Sequence, residues 1–152
     1  MFDPNQFLQQ TVTEANSIVR EPCPEGEFLA SVKKSTIGTW ESKDKTKSGL
    51  KLDLQWSIDD QDVKAKLDKQ EVLVRQTVML DITDSGALDM GKGKNIGLGR
   101  LREALSQNTP GQPWSFSMLD GAGPAKVIVT HRPSEADPSI VYDEIRGVTK
   151  PF

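Results

Sequence analysis

Residues 49–58 read GLKLDLQWSI, in which Leu50, Leu52, Leu54, Trp56 and Ile58 alternate strictly with Lys51, Asp53, Gln55 and Ser57. In an extended chain successive side chains point to opposite faces, so this stretch is a strand with one apolar and one polar side. Upstream, Phe28, Ala30 and Val32 alternate with Leu29, Ser31 and Lys33, which predicts a first strand. The intervening STIGTWESKDKTKSG, residues 35–49, reads as a long polar loop. Downstream, DDQDVKAKLDKQ is a charged connection with room for a helical turn. EVLVRQTVMLDI follows as a third strand with Val72, Val74, Val78, Leu80 and Ile82 on one face, interrupted by Gln76.

Beyond a glycine-rich segment, IGLGRLREALSQN sets Leu98, Leu101, Ala104 and Leu105 along one helical stripe and ends before Pro110 and Gly111. WSFSML alternates Trp114, Phe116 and Met118 with serines, AKVIVTHR reads as a further strand, and IVYDEI is a sixth candidate. Phe7, Leu8, Val12, Ala15, Ile18 and Val19 have the loose spacing of a short amphipathic helix, which the proline-rich EPCPEGE stops. The expectation is therefore a lead-in helix and linker over residues 1–23 and a mainly β domain over 24–152. Three strands, a helix and two or three more strands are the element order of an OB-fold barrel. The predicted fold is thus a small antiparallel barrel of five to six strands, with its helix between strands three and four.

A chain of 152 residues, 36% hydrophobic and 27% charged, has the composition of one globular domain. No apolar run is long enough for a membrane helix, and MFDPNQFLQQ has neither a basic nor an apolar leader region, so a cytoplasmic chain is expected. Cys23 is the sole cysteine and His131 the sole histidine. An intramolecular disulfide and a thiolate metal cage are both excluded, and a reducing compartment fits. A nucleophilic Cys23 would need a histidine beside it, whereas His131 lies far away in the sequence. Asp81, Asp84 and Asp89 do not have calcium-loop spacing and read as turn residues. No active-site constellation emerges, so neither an enzyme nor a bound cofactor or metal is expected.

The net charge is -3, but it is unevenly spread. Lys33, Lys34, Lys43, Lys45, Lys47 and Lys51 face only Glu41 and Asp44 between residues 33 and 51. Lys92, Lys94, Arg100 and Arg102 face no acid between 92 and 102. GALDMGKG, residues 86–93, has the spacing of a nucleotide-phosphate loop, yet Gly93 stands where the magnesium-binding hydroxyl is needed. Glycine amides, two lysines and a helix terminus could still favour a phosphate of a nucleic-acid backbone. Trp40 among lysines has the chemistry of single-strand binding, because rings stack on bases while cations hold phosphates. Tyr142 is a second stacking candidate. The expected contact set is Trp40, Lys43, Lys45, Lys47, Lys51, Lys92, Lys94, Arg100, Arg102 and Tyr142.

PEGEF before the first strand, TKSGLKLDLQW, GKGKNIGLGRLREAL, AKVIVTHR and YDEIRGV together carry a resemblance over residues 24–150. The stretch resembles small phage-encoded single-stranded-DNA-binding proteins of the replication and recombination region. That resemblance implies non-catalytic binding of single-stranded DNA on an OB-like barrel, in the host cytoplasm, with replication proteins or further copies of the chain as partners. The terminal Pro151–Phe152 is similar to the end by which bacterial single-stranded-DNA-binding proteins recruit partners, although EIRGVTKPF lacks the acidic tail that precedes it there. The competing expectation is a structural or protein-interaction module of a phage particle or replication complex.

Overall fold

The computed structural model describes residues 2–152. Its elements run α1 (Pro4–Leu8), β1 (Gly26–Glu41), β2 (Ser48–Ile58), α2 (Gln61–Leu67), β3 (Leu73–Met79), α3 (Ile96–Ala104), a 3-10 turn (Phe116–Leu119), β4 (Ala125–Pro133) and β5 (Val141–Thr149). The five strands form one antiparallel sheet in the order β3-β2-β1-β4-β5. The alternation in residues 50–58 governs the packing: Leu52, Leu54, Trp56 and Ile58 are fully buried, joined by Val32, Val74, Val127 and Val129 from the neighbouring strands. Trp56 donates through Nε1 to Gln76 Oε1 at 2.8 Å, which accounts for the polar residue in the apolar face of β3.

Several expectations are corrected. The sheet is not a closed barrel: β3 and β5 approach one another, but no ladder joins them among the described residues. Two other segments occupy the ends of that seam. At one end α3 packs against both strands and buries Leu98, Leu101 and Ala104. At the other, the Cys23 amide donates to Asp143 Oδ2 at 2.7 Å, and its carbonyl accepts from His131 Nε2 at 2.6 Å. These bonds sew the proline-flanked segment onto β4 and β5, with Cys23 in the core.

Trp114 to Met118 is not a strand. The buried residue is Leu119, three beyond the half-buried Phe116, because a 3-10 turn brings i and i+3 to the same side. Residues 35–41 and 48–49 are not loop but strand. β1 and β2 pair from Ala30 with Ile58 out to Glu41 with Ser48, leaving only residues 42–47 as the connection. The lead-in helix is confined to Pro4–Leu8, capped by the Asp3 carboxylate on the Asn5 amide at 2.9 Å. No residue from 2 to 20 is buried. Thr11, Val12, Thr13, Asn16 and Ser17 are weak helix formers, and the apolar stripe meets no surface that would compensate. The charged connection after β2 does form a helix, α2, started by Asp60 Oδ1 on the Val63 amide at 3.0 Å. Among the described residues, no helix is long and apolar enough to cross a membrane.

Candidate nucleic-acid interface

A bulge in β1 between Val32 and Lys34 decides which side chains face outward. Before it, Ala30 and Val32 point into the core opposite Ile58 and Trp56. After it, Lys34, Thr36, Gly38 and Trp40 stand opposite Gln55, Asp53, Lys51 and Gly49, the polar side of β2. Arg75 and Thr77 of β3 stand opposite Gln55 and Asp53, so they share this outer face. Trp40 and Lys51 therefore lie on one sheet surface with Lys34 and Arg75. Neither of the latter two stands out in the sequence as a contact residue. The signal is nevertheless present: in LVRQTVM the inward positions are Val74, Gln76 and Val78, which turns Arg75 outward.

The charges on this face are partly spoken for. Asp53 accepts from Thr77 Oγ1 at 2.8 Å and lies 3.7 Å from Lys51 Nζ. Arg75 has no carboxylate within ion-pair distance among the described residues. Beside it opens a groove of about 1080 Å³, whose walls include Lys51, Asp53, Arg75, Arg132 and Tyr142. Tyr142 is half exposed on β5, and Arg132 is paired with Glu144 at 3.3 Å.

The connection 42–47 carries the three loop lysines. Asp44 Oδ1 accepts the Ser42 and Thr46 hydroxyls, each at 2.7 Å, and the Thr46 amide at 3.1 Å. The Ser42 amide closes the loop on the Lys47 carbonyl at 2.8 Å. The two hydroxyl bonds, then the amide, hold the Asp44 carboxyl down at about 2, so Asp44 is ionised and its charge is used internally. Lys43, Lys45 and Lys47 are exposed around it, without an ion pair among the described residues.

Trp40 itself lies on β1, half-buried, with its ring over Gly49. A Cβ on Gly49 would come within 2.8 Å of Trp40 Nε1 and 3.2 Å of Cε2. The indole Nε1 is buried, and its N–H has no hydrogen-bond partner among the described residues.

The second basic segment is built differently. Asn95 fastens the β3 to α3 connection: Oδ1 accepts the Asp81 amide at 2.8 Å, and Nδ2 donates to the carbonyls of Asp81 at 2.8 Å and Asp89 at 2.9 Å. The Gly91 and Asn95 amides donate to the carboxylates of Asp89 and Asp81, both at 2.9 Å. Two amides of the glycine-rich segment are thus already occupied by the chain's own anions, which repel a phosphate. Lys92, Lys94 and Arg100 are exposed along it. Arg102 is engaged elsewhere: its guanidinium stacks 4.3 Å from the Trp114 ring, and Nε donates to the Gln107 carbonyl at 3.1 Å.

Cys23 and His131 are close after all, yet the imidazole contacts the Cys23 carbonyl rather than its thiol. Burial, reinforced by the charges of Asp143 and Asp60, pushes the thiol up to about 11, the opposite of what a nucleophile requires. Among the described residues, no group of three or more His, Cys, Asp or Glu side chains is arranged to hold a metal ion.

Compared with family models, with curated proteins and with solved structures, the chain matches none of them.

Proposed function

We propose that this chain binds single-stranded DNA and performs no chemistry on it. The observation that carries the reading is the shared outer face of β1, β2 and β3, which presents Trp40 at the level of Gly49, then Lys51, then Lys34 and Arg75 at the level of Gln55. The lysine-bearing connection 42–47 lies at one end of this face, and Tyr142 borders the adjoining groove. Cations on a sheet hold phosphates, and a flat aromatic supplies a platform for any base. Lys43, Lys45 and Lys47 extend the cationic track, and Lys92, Lys94 and Arg100 offer a second one.

The sheet order supports an OB-like architecture. β3-β2-β1-β4-β5 is the order of an OB barrel parted between its third and fifth strands. Such barrels are partly open, and they take oligonucleotides on the second and third strands between the first and last hairpin loops. Support of phage DNA replication or recombination in the host cytoplasm is the matching biological role.

Titration of fluorescently labelled single-stranded and duplex oligonucleotides tests the reading. Preferential, salt-sensitive binding of single strands is expected. A protein inert to both at low salt would favour the second reading, a protein-interaction module, for which the exposed Phe2, Phe7, Leu8 and Ile18 of the N-terminal segment are the specific observation.

A further inference from the structure

We propose that the cavity beside Trp40 is a subsite for one nucleobase of the bound strand, and that Gly49 is the positioning residue that shapes it. The inference rests on the single-strand reading above and adds a recognition element to it.

The cavity measures about 410 Å³ and is lined by Trp40, Leu50 and Ile82, with Thr39, Glu41 and Ser48 around them. Apolar walls with hydroxyl and carboxylate groups beside them suit a base, which has apolar faces and a polar edge. Gly49 determines where the indole sits. With hydrogen in place of a side chain, three ring atoms lie between 2.8 and 3.3 Å from where a Cβ would stand, so the ring rests flat on the β2 backbone. One ring face is taken by the strand, which leaves the other as a stacking surface. Nε1 is buried on the strand side of the ring, so the subsite acts through the indole face and not through its N–H.

Gly38 supplies an internal control. It lies on the same outer face of β1, and a Cβ there would meet only Lys51 Cε at 3.5 Å and Asp53 Oδ2 at 3.7 Å, which are ordinary contacts. Gly38→Ala therefore leaves the indole in place, whereas Gly49→Ala drives it off the strand.

The experiment uses the full chain labelled with 5-fluorotryptophan, with the Trp40 resonance assigned by Trp40→Phe. Binding is measured to an oligothymidylate and to an abasic oligonucleotide of equal length and charge. Wild type and Gly38→Ala are expected to prefer the base-bearing strand about tenfold. Gly49→Ala should shift the Trp40 fluorine signal and lose that preference while keeping its salt dependence, since the phosphate contacts are untouched. An unshifted Trp40 signal in Gly49→Ala overturns the role of the glycine. A shifted signal with the preference intact overturns the base subsite. A wild type that binds neither oligonucleotide refutes the single-strand reading itself, and the fluorine measurement still judges the seat of the indole.

Discussion

Within the apolar layer, Trp56 Nε1 on β2 hydrogen-bonds to the side-chain oxygen of Gln76 on β3 at 2.8 Å. A buried indole without an acceptor leaves its N–H unsatisfied, so the glutamine belongs to the core as firmly as the valines beside it. Gln76→Leu strands that donor and should cost ~1–3 kcal/mol. Trp56→Ala should cost ~3–5 kcal/mol, because the whole indole is fully buried and its removal leaves a cavity. Urea denaturation of the three proteins reads both values. A Gln76→Leu variant as stable as wild type would mean that the bond contributes nothing.

The same strand pair marks what sequence can and cannot reveal. Strict alternation around Trp56 exposes β2, because half-burial of a sheet writes itself directly into the residue order. The outer half of β1 reads as loop because its inward positions after the bulge are Ser35, Ile37 and Thr39, only one of them apolar, although they stand opposite Leu54, Leu52 and Leu50 of β2. The bulge after Val32 also shifts the inward positions, so Trp40's face cannot be counted forward from Phe28. Trp40 and the lysines are legible as residue types, whereas the face that Trp40, Lys34 and Lys51 share with Arg75 depends on the register of β1, β2 and β3.

Cys23 should be chemically silent in the native protein. Its side chain is in the core and its thiol is raised to about 11, so maleimide or iodoacetamide at neutral pH should label it only after denaturation. The shift also sets an alkaline limit. Below pH about 9 the thiol is protonated in both folded and unfolded chains and has no effect on the balance; between about 9 and 11 the unfolded chain ionises first, and stability falls as pH rises. Cys23→Ala should flatten that part of a pH-stability curve. Equal labelling of native and denatured protein would show that the segment opens readily.

Asn95 has a structural role that its neighbour Lys92 does not share. Asn95→Ala removes the side-chain bonds that tie Asp81 and Asp89 to the start of α3, and it should destabilise by ~1–3 kcal/mol in thermal or urea melts. Lys92→Ala, at an exposed position, should melt like wild type. Neither wild type nor Lys92→Ala should hydrolyse nucleoside triphosphate with magnesium, since the Asp81 and Asp89 carboxylates occupy amides that such a loop turns toward phosphate. Hydrolysis that vanishes with Lys92 would overturn this assignment.

Stacking and charge on the outer face should come apart under salt. Trp40→Ala removes a half-buried ring whose N–H has no partner among the described residues, so no acceptor is orphaned and folding should be largely preserved. Single-strand affinity should drop by ~1–3 kcal/mol, the range for losing one stacked base, at every salt concentration alike. The triple variant Lys43→Ala, Lys45→Ala, Lys47→Ala acts on the other component. Its lysines flank a loop held by Asp44 through Ser42 and Thr46, so the loop should keep its shape. Every phosphate that is no longer neutralised should then flatten the log-log salt dependence by ~0.7, which weakens binding most at low salt and least at high salt. Parallel salt titrations of the two variants separate the mechanisms. If the triple variant keeps the wild-type slope, the loop lysines do not touch the strand, and the electrostatic track must run through Lys34, Lys51 and Arg75 instead.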